Sequence, residues 1–406
     1  MRPPLSIFGF FSTFHGAIAM SPSQVSSYFC PTRILMGVNA HEKLEEVIKK
    51  LNCSRLFMAV DAALLESEFY RRIHSVLQRC NVTPSLFTDI EPDPGANTVA
   101  KAFELCRSSN AQVILAIGGG STIDVAKSVG ILATNGGRIQ DYEGIEKFST
   151  PPLPRIAIHT TAGTGSEVSG SCAITNSETS LKMAIRHAAL NPANVAILDP
   201  MALKTLPAPV AAYSGMDAFV HAFESFLSVN ANPLTDALNL HALELVSHNI
   251  RQFVANRNNL EAGLAMLCGS SLAGMAFGAT GLGNVHCMAR IVGTCFHVSH
   301  GLSTAICLPH VAEFNLVANP RRYGRVAAAM GGLVSGMPEL DAAAEALRAI
   351  QSLCRDLGIP ERLRDIGATE DKFPEMARFC IEENYNRWNP RHTTYDDFLA
   401  LFRKAY

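Results

Sequence analysis

No sign of charge dominates this chain of 406 residues: 34 Lys and Arg stand against 36 Asp and Glu, for a net charge of −2. No run of basic residues stands out, which argues against a nucleic-acid groove or attachment to an anionic membrane surface. Charged residues are scarce, at 17% against 48% hydrophobic. That balance excludes disorder and supplies a large core, and the length suits two or three domains. Although there are eleven cysteines, from Cys30 to Cys380, no CxxC pair occurs. An odd, scattered set fits free thiols in a reducing cytoplasm better than a disulfide framework. Internal repeats and low-complexity tracts are also lacking.

Two apolar stretches bear on where the protein resides. Leu5–Met20 follows Arg2 and superficially resembles a signal peptide, but it carries His15 and little positive charge. Residues 1–20 read as an N-terminal extension or as the product of a misassigned start codon, with Met20 opening a more ordinary start. Ala265–Val285 is free of charge and long enough to span a bilayer. Its glycines, Ser/Thr and Asn suit a buried helix, closed by His286, in a cytoplasmic protein.

The first half alternates apolar runs with helical patterns. Arg55–Val60, Val113–Ile117, Arg155–His159 and Val195–Leu198 read as strands, and Glu66–Arg79 and Thr122–Leu132 as helices. Strands that are apolar throughout indicate a mainly parallel sheet covered on both faces. Beyond about Pro200 only helices are expected: Ala211–Val229, Pro233–Asn256, Leu260–Phe277 and Leu340–Leu357. Pro207 and Pro209 mark a hinge. The expected division is an α/β domain over residues 21–205 and an all-helical domain over 206–406.

Chemistry concentrates in four places. Gly118-Gly119-Gly120-Ser121 follows a strand and opens a helix, where bare backbone N–H groups can hold a diphosphate. It is neither GxGxxG nor a Walker loop, and a turn that merely needs glycine is the plainer alternative. Thr160-Thr161-Ala162-Gly163-Thr164-Gly165 follows the next strand, with hydroxyls suited to ribose and phosphate oxygens. Asp61, at a strand end, could accept from an adenosine ribose hydroxyl and favour NAD over NADP, or could simply cap a helix. Asp217 and His221 lie one helical turn apart, so both can reach one cation or bond to each other. His286 and His300 would complete a set of one aspartate and three histidines for Fe(II) or Zn(II), but spacing cannot show that the two halves meet.

Together these segments resemble the iron-containing (group III) alcohol dehydrogenases. GGGSTIDVAK, TTAGTGSE, GMDAFVHAFESF and GLGNVHCMAR with HGLSTAICLPH occur in that family's order and spacing, from about Phe29 to the C-terminus. The resemblance implies a Rossmann-like dinucleotide-binding α/β domain, a helical metal-binding domain like that of dehydroquinate synthase, and an active site in the cleft between them. By position it implies the metal ligands Asp217, His221, His286 and His300. It places NAD(H) on Gly118, Gly119, Gly120 and Ser121, with Asp124, Thr160, Thr161, Thr164 and Lys182 in further contact and Asp61 setting NAD preference. It implies Fe2+, with Zn2+ as the alternative, and a homodimer or larger homo-oligomer.

The departures from the family pattern are informative. Where many members carry a second histidine after the third ligand, this chain has Arg290, and Ala279 stands where Asn is common. A guanidinium stays protonated and cannot serve as a base, but it grips carboxylates, sulfonates and phosphonates well. One expectation is therefore a small aldehyde or alcohol bearing an anionic group held by Arg290, of phosphonoacetaldehyde or sulfoacetaldehyde type. The other is that Arg290 pairs with a cofactor phosphate or a nearby acid. His297, three residues before His300, is a candidate for moving the proton. Competing readings are a neutral short-chain alcohol or diol dehydrogenase of lactaldehyde or 1,3-propanediol type, a dehydroquinate-synthase-like lyase, and a non-catalytic protein that keeps the fold.

Overall fold

The computed structural model describes residues 25–178 and 181–406, so the expected extension at residues 1–20 lies outside the described residues. The first half runs β1 (Arg33–Met36), α1 (Leu44–Lys50), β2 (Leu56–Val60), α2 (Glu68–Arg79), β3 (Pro84–Phe87), α3 (Ala96–Ser108), β4 (Val113–Gly118) and α4 (Gly120–Asn135). It continues with β5 (Gly144–Ile145), β6 (Arg155–His159), β7 (Ser171–Thr175), β8 (Lys182–Arg186) and β9 (Val195–Leu198). Six of these strands form one parallel sheet in the order β1-β9-β6-β4-β2-β3.

The apolar strands are those buried on both faces. Side chains alternate along a strand, so neighbours enter different cores. Phe57, Ala59, Ile114 and Ala116 pack with Val99 and Val129 of α3 and α4. Leu56, Met58, Leu115 and Ile117 pack instead with Val47 and Ile73 of α1 and α2. The edge strands β1 and β3 are partly exposed and carry no such continuous run, which is why the sequence did not announce them. Nor did it announce a second sheet, β5-β8-β7, whose half-buried residues alternate in burial.

From β2 the chain passes outward to β3, then returns on the other side of β2 as β4. The carboxyl ends of β2 and β4 thus border the point where winding reverses, the usual ligand crevice of open α/β sheets.

The second half is helical: α5 (Ala208–Leu227), α6 (Pro233–Ala255), α7 (Leu260–Thr280), α8 (Asn284–Phe296), α9 (His300–Asn315), α10 (Pro320–Ala329), α11 (Glu339–Asp356), α12 (Phe373–Glu382) and α13 (Tyr395–Ala405). Pro207 precedes α5 and Pro209 lies in its first turn, where a missing N–H is harmless. These helices share one apolar core centred on residues such as Phe219, Phe223, Met266, Val285 and Ile306. By length and composition α7 could cross a membrane; here it is packed into that core. One expectation needs correction. The uncharged stretch is not a single helix closed by His286, because α7 ends at Thr280, Gly281 turns the chain at φ 73°, and α8 starts at Asn284. His286 therefore sits in the first turn of α8.

Candidate active site

Helix α4 begins where β4 ends. Its N-cap is Gly119 and no side chain caps it, so backbone N–H groups at the helix start face the crevice. The threonine loop after β6 lies directly against this turn. A Cβ on Gly118 would stand 2.3 Å from Thr122 Oγ1, and one on Gly120 would stand 2.8 Å from Thr164 Cγ2. A Cβ on Gly119 would lie 3.2 Å from Thr161 Cγ2. Gly119 and Gly120 are therefore needed to seat the two loops together, Gly118 to clear the first turn of α4, and all three leave bare backbone for an anion. Such a cradle fits a dinucleotide diphosphate.

Asp61 accepts from the Ala63 N–H at 3.0 Å, and its own N–H donates to Ile117 O at 3.0 Å. It is thus a local cap that stands beside the end of β4, in the crevice. Asp124 differs from expectation. Its Oδ1 accepts from Ser166 Oγ at 2.5 Å and its Oδ2 from the Ala173 N–H at 2.9 Å, so both oxygens tie α4 to the 163–173 segment. Lys182 Nζ pairs with Asp93 Oδ1 at 2.5 Å.

Two side chains that sequence reasoning passed over hold the threonine loop in place. His159 Nε2 lies 3.1 Å from Thr161 Oγ1 and 3.4 Å from Thr164 Oγ1. Its Nδ1 lies 2.6 Å from Glu167 Oε2, and Ser271 Oγ donates to the other carboxylate oxygen at 2.6 Å. Burial opposes the charge on Glu167, but His159 outweighs it and holds that carboxyl below its ordinary value.

Across the crevice, α5, α8 and α9 bring Asp217, His221, His286 and His300 together. One atom each of Asp217, His221 and His286 falls within a 4.8 Å set. Asp217 Oδ1 is 3.7 Å from both His286 Nε2 and His300 Nε2, and Oδ2 is 3.7 Å from His221 Nδ1. The His221 and His286 rings stack with centroids 4.6 Å apart. Side chains of the first three are at most 7% exposed, whereas His300 is 32% exposed, so the cluster opens on the His300 side.

Glu224, another residue the sequence reading missed, accepts from the Val285 N–H at 2.5 Å and from His286 Nδ1 at 2.7 Å. It thereby turns His286 Nε2 toward Asp217. That nitrogen is buried and has no hydrogen-bond partner among the described residues. Burial opposes the imidazolium, but Asp217 and Glu224 raise His286 to about 10. His221 moves the other way, to about 4, because burial outweighs the pull of Asp217. One carboxylate and three imidazoles with an unsatisfied inward nitrogen are a donor set for a borderline divalent cation, which would replace the His286 proton.

Two further candidates, His297 and Arg290, have surroundings that spacing did not reveal. His297 ends α8 in the left-handed conformation, φ 53°, and is exposed. The helix stops there, so the three-residue spacing to His300 carries no facing relation, and among the described residues no interaction joins His297 to the cluster. Arg290 is engaged by protein groups. Its Nη1 pairs with Glu383 at 3.1 Å and its Nη2 donates to Lys182 O at 3.2 Å. Of the two readings open for Arg290, pairing with a nearby acid is the one observed. Glu383 is 93 positions away, out of reach of any spacing argument.

A cavity of about 400 Å³ is lined in part by Phe277, Ala279, Arg186, Tyr385 and Trp388, and two of these rings connect it to the cluster. Phe277 stacks on His221 at 4.6 Å, and the Tyr385 ring lies 6.5 Å from that of His286.

Comparison with known proteins follows the same division. The family described as iron-containing alcohol dehydrogenase matches residues 31–200. The Fe-containing alcohol dehydrogenase family, C-terminal, matches residues 211–406. The 1,3-propanediol dehydrogenase of Klebsiella pneumoniae is 37% identical over 382 residues, covering 93% of this chain and 98% of that protein. A crystal structure of 1,3-propanediol oxidoreductase superposes with a TM-score of 0.92 at 37% identity, covering 94% of this chain and all of that one. Sulfoacetaldehyde reductase from Bifidobacterium kashiwanohense in complex with NAD+ gives a TM-score of 0.84 at 26% identity, covering 94% and 99%.

Proposed function

The chain belongs to the iron-containing alcohol dehydrogenase family and is an NAD-linked oxidoreductase that interconverts alcohols and aldehydes; from that premise we propose how its own residues divide the work. The observation that carries the reading is that the cluster of Asp217, His221, His286 and His300 meets the threonine loop after β6, with His221 Nδ1 3.3 Å from Gly163 O. We assign these four side chains as the ligands of Fe2+, and residues 21–205 and 206–406 as the cofactor and metal domains. The bound ion supplies Lewis acidity toward a substrate oxygen, and the nicotinamide supplies the hydride site.

The residues of the chain do the rest. Gly118, Gly119, Gly120 and Ser121 receive the diphosphate, and Thr160, Thr161 and Thr164 offer hydroxyls, those of Thr161 and Thr164 held in place by His159. Lys182, paired with Asp93, and Asp61, beside the end of β4, would make further coenzyme contacts, with Asp61 accepting from a ribose hydroxyl and favouring NAD. Glu224 orients His286, and Asp124 anchors the loop. Phe277 and Tyr385 wall the cavity and keep water from the reacting carbon. Its volume suits a small aldehyde or primary alcohol. Arg290 stays protonated and ion-paired, so it positions Glu383 and does not carry a proton. The protein acts as a soluble cytoplasmic homo-oligomer with α7 as a core helix. The intact donor set favours this reading over a lyase or a non-catalytic protein.

The test is NADH oxidation by anaerobically purified, Fe(II)-loaded protein. The aldehydes to compare are propanal, lactaldehyde, sulfoacetaldehyde, phosphonoacetaldehyde and succinic semialdehyde. Turnover of at least one, abolished by chelation and restored by Fe(II), is expected. No turnover of any, with metal bound, would refute the assignment.

A further inference from the structure

We propose that Arg186 is the anchor for a negatively charged tail on the substrate, so that the preferred aldehyde or alcohol carries a carboxylate, sulfonate or phosphonate at the end remote from its reacting oxygen. The inference rests on the dehydrogenase reading of the site and deepens it.

Strand β8 sets the direction. Met183 and Ile185 are buried in the core, so Lys182, Ala184 and Arg186 share the opposite, half-buried face. Lys182 is neutralised there by Asp93. Arg186 is not neutralised: among the described residues no carboxylate forms an ion pair with it. Among the described residues its side-chain hydrogen bond goes from Nη2 to Tyr385 Oη at 3.3 Å. The Tyr385 ring lies between two guanidiniums, with Arg186 Cζ 5.7 Å from its centroid and Arg290 Cζ 5.3 Å away. Arg290 has Glu383; Arg186 has no counterpart. Glu146, the one acidic residue lining the cavity, is exposed and makes no ion pair with it.

A half-enclosed guanidinium without a counter-ion is an unsatisfied charge, and its planar fork matches a carboxylate or sulfonate in two parallel hydrogen bonds. Position makes the charge useful. Arg186 lines the same cavity as Phe277 and Tyr385. Tyr385 is one step of 6.5 Å from the His286 ring and one of 5.7 Å from Arg186. In this proposal the substrate's tail meets Arg186, and its reacting end lies toward Phe277 and Tyr385, the two cavity-lining rings that contact the histidine cluster. The anionic tail that the sequence suggested for Arg290 on α8 is thus assigned to Arg186 on β8.

The experiment uses matched probes and two readouts. In steady state, succinic semialdehyde is compared with butanal in the Fe(II)-loaded wild type and in Arg186→Met. The expected result is a wild-type preference for the anionic aldehyde of roughly tenfold or more in kcat/KM, carried mainly by KM and erased in R186M. Butanal turnover should change less than about threefold, and Arg186→Lys should keep an intermediate preference. Equal loss for both aldehydes in R186M, or no preference in the wild type, would overturn the proposal.

The second readout needs no catalysis. Trp388 is the chain's single tryptophan and lines the cavity. Its fluorescence should therefore report 4-hydroxybutyrate binding in wild type and R186M, with 1-pentanol as the uncharged control. Tighter binding of 4-hydroxybutyrate than of pentanol, lost in R186M, supports the anchor even where no aldehyde is reduced, in which case the dehydrogenase reading alone has failed. Equal binding of both probes, or no response to 4-hydroxybutyrate, overturns the anchor whatever the turnover shows.

Discussion

Replacing Glu224 by Gln tests whether the metal-ligand cluster depends on a residue that never touches the ion. The Glu224 carboxylate accepts from the Val285 N–H, at 2.5 Å, and from His286 Nδ1, at 2.7 Å, in a buried position. A glutamine keeps the shape but turns one of the two acceptor oxygens into an NH2 group. Either orientation then sets a donor against a donor, leaving one buried N–H unsatisfied at a cost of about 1–3 kcal/mol. If the amide yields to Val285, the His286 ring loses the partner that turns Nε2 toward Asp217. Loss of such an outer partner typically weakens metal affinity by roughly ten- to a hundredfold, or about 1.4–2.7 kcal/mol. Competition against a chromogenic Fe(II) or Zn(II) chelator would measure the affinity, with circular dichroism confirming an intact fold. An affinity within about threefold of wild type, in a folded variant, would refute the orienting role.

Three further outcomes are expected. Gly118→Ala, whose new Cβ would collide with Thr122, should raise KM for NADH while leaving metal content unchanged, as checked by steady-state kinetics and elemental analysis. Arg290→Ala should lower the melting temperature, because Glu383 loses its partner and Lys182 O loses its donor, yet should leave the ratio of kcat/KM for anionic and neutral aldehydes unaltered. Glu167 has its folded pKa held below the ordinary 4.5, so its contribution to stability is full above that pH and fades as pH falls through the lower folded value. Glu167→Gln should therefore be less stable than wild type at neutral pH, and its melting temperature should decline less steeply in acid, as followed by thermal denaturation.

Much of the architecture was legible because burial on two faces leaves an unmistakable mark. β2, β4, β6 and β9 are unbroken apolar runs, and the helical half is patterned at a different period. Asp217 and His221 could be placed together because one helix fixes their separation. The remaining relations were set by tertiary packing and left no local trace. His286 reaches Asp217 across 69 positions (217 to 286), and Gly281 silently splits what reads as a single uncharged helix. Glu224 looked like any acid on a helix until α8 docked its first turn against it. Arg290 looked free because its partner is far along the chain, and Arg186 looked ordinary because one charge on a short strand says nothing about what faces it. The second sheet, which carries Arg186, was invisible for a related reason: its strands are half-buried and short.

The contact between His221 Nδ1 and Gly163 O, 3.3 Å long, crosses from the ion's side of the crevice to the coenzyme's. A ring held by that bond has its tilt decided jointly by whatever occupies either side. Thermodynamic reciprocity then applies: if loading iron alters NADH affinity by some factor, NADH must alter iron affinity by the same factor. Were that factor above one, retention of iron would rise with the reduced coenzyme; were it one, the two sites would fill independently.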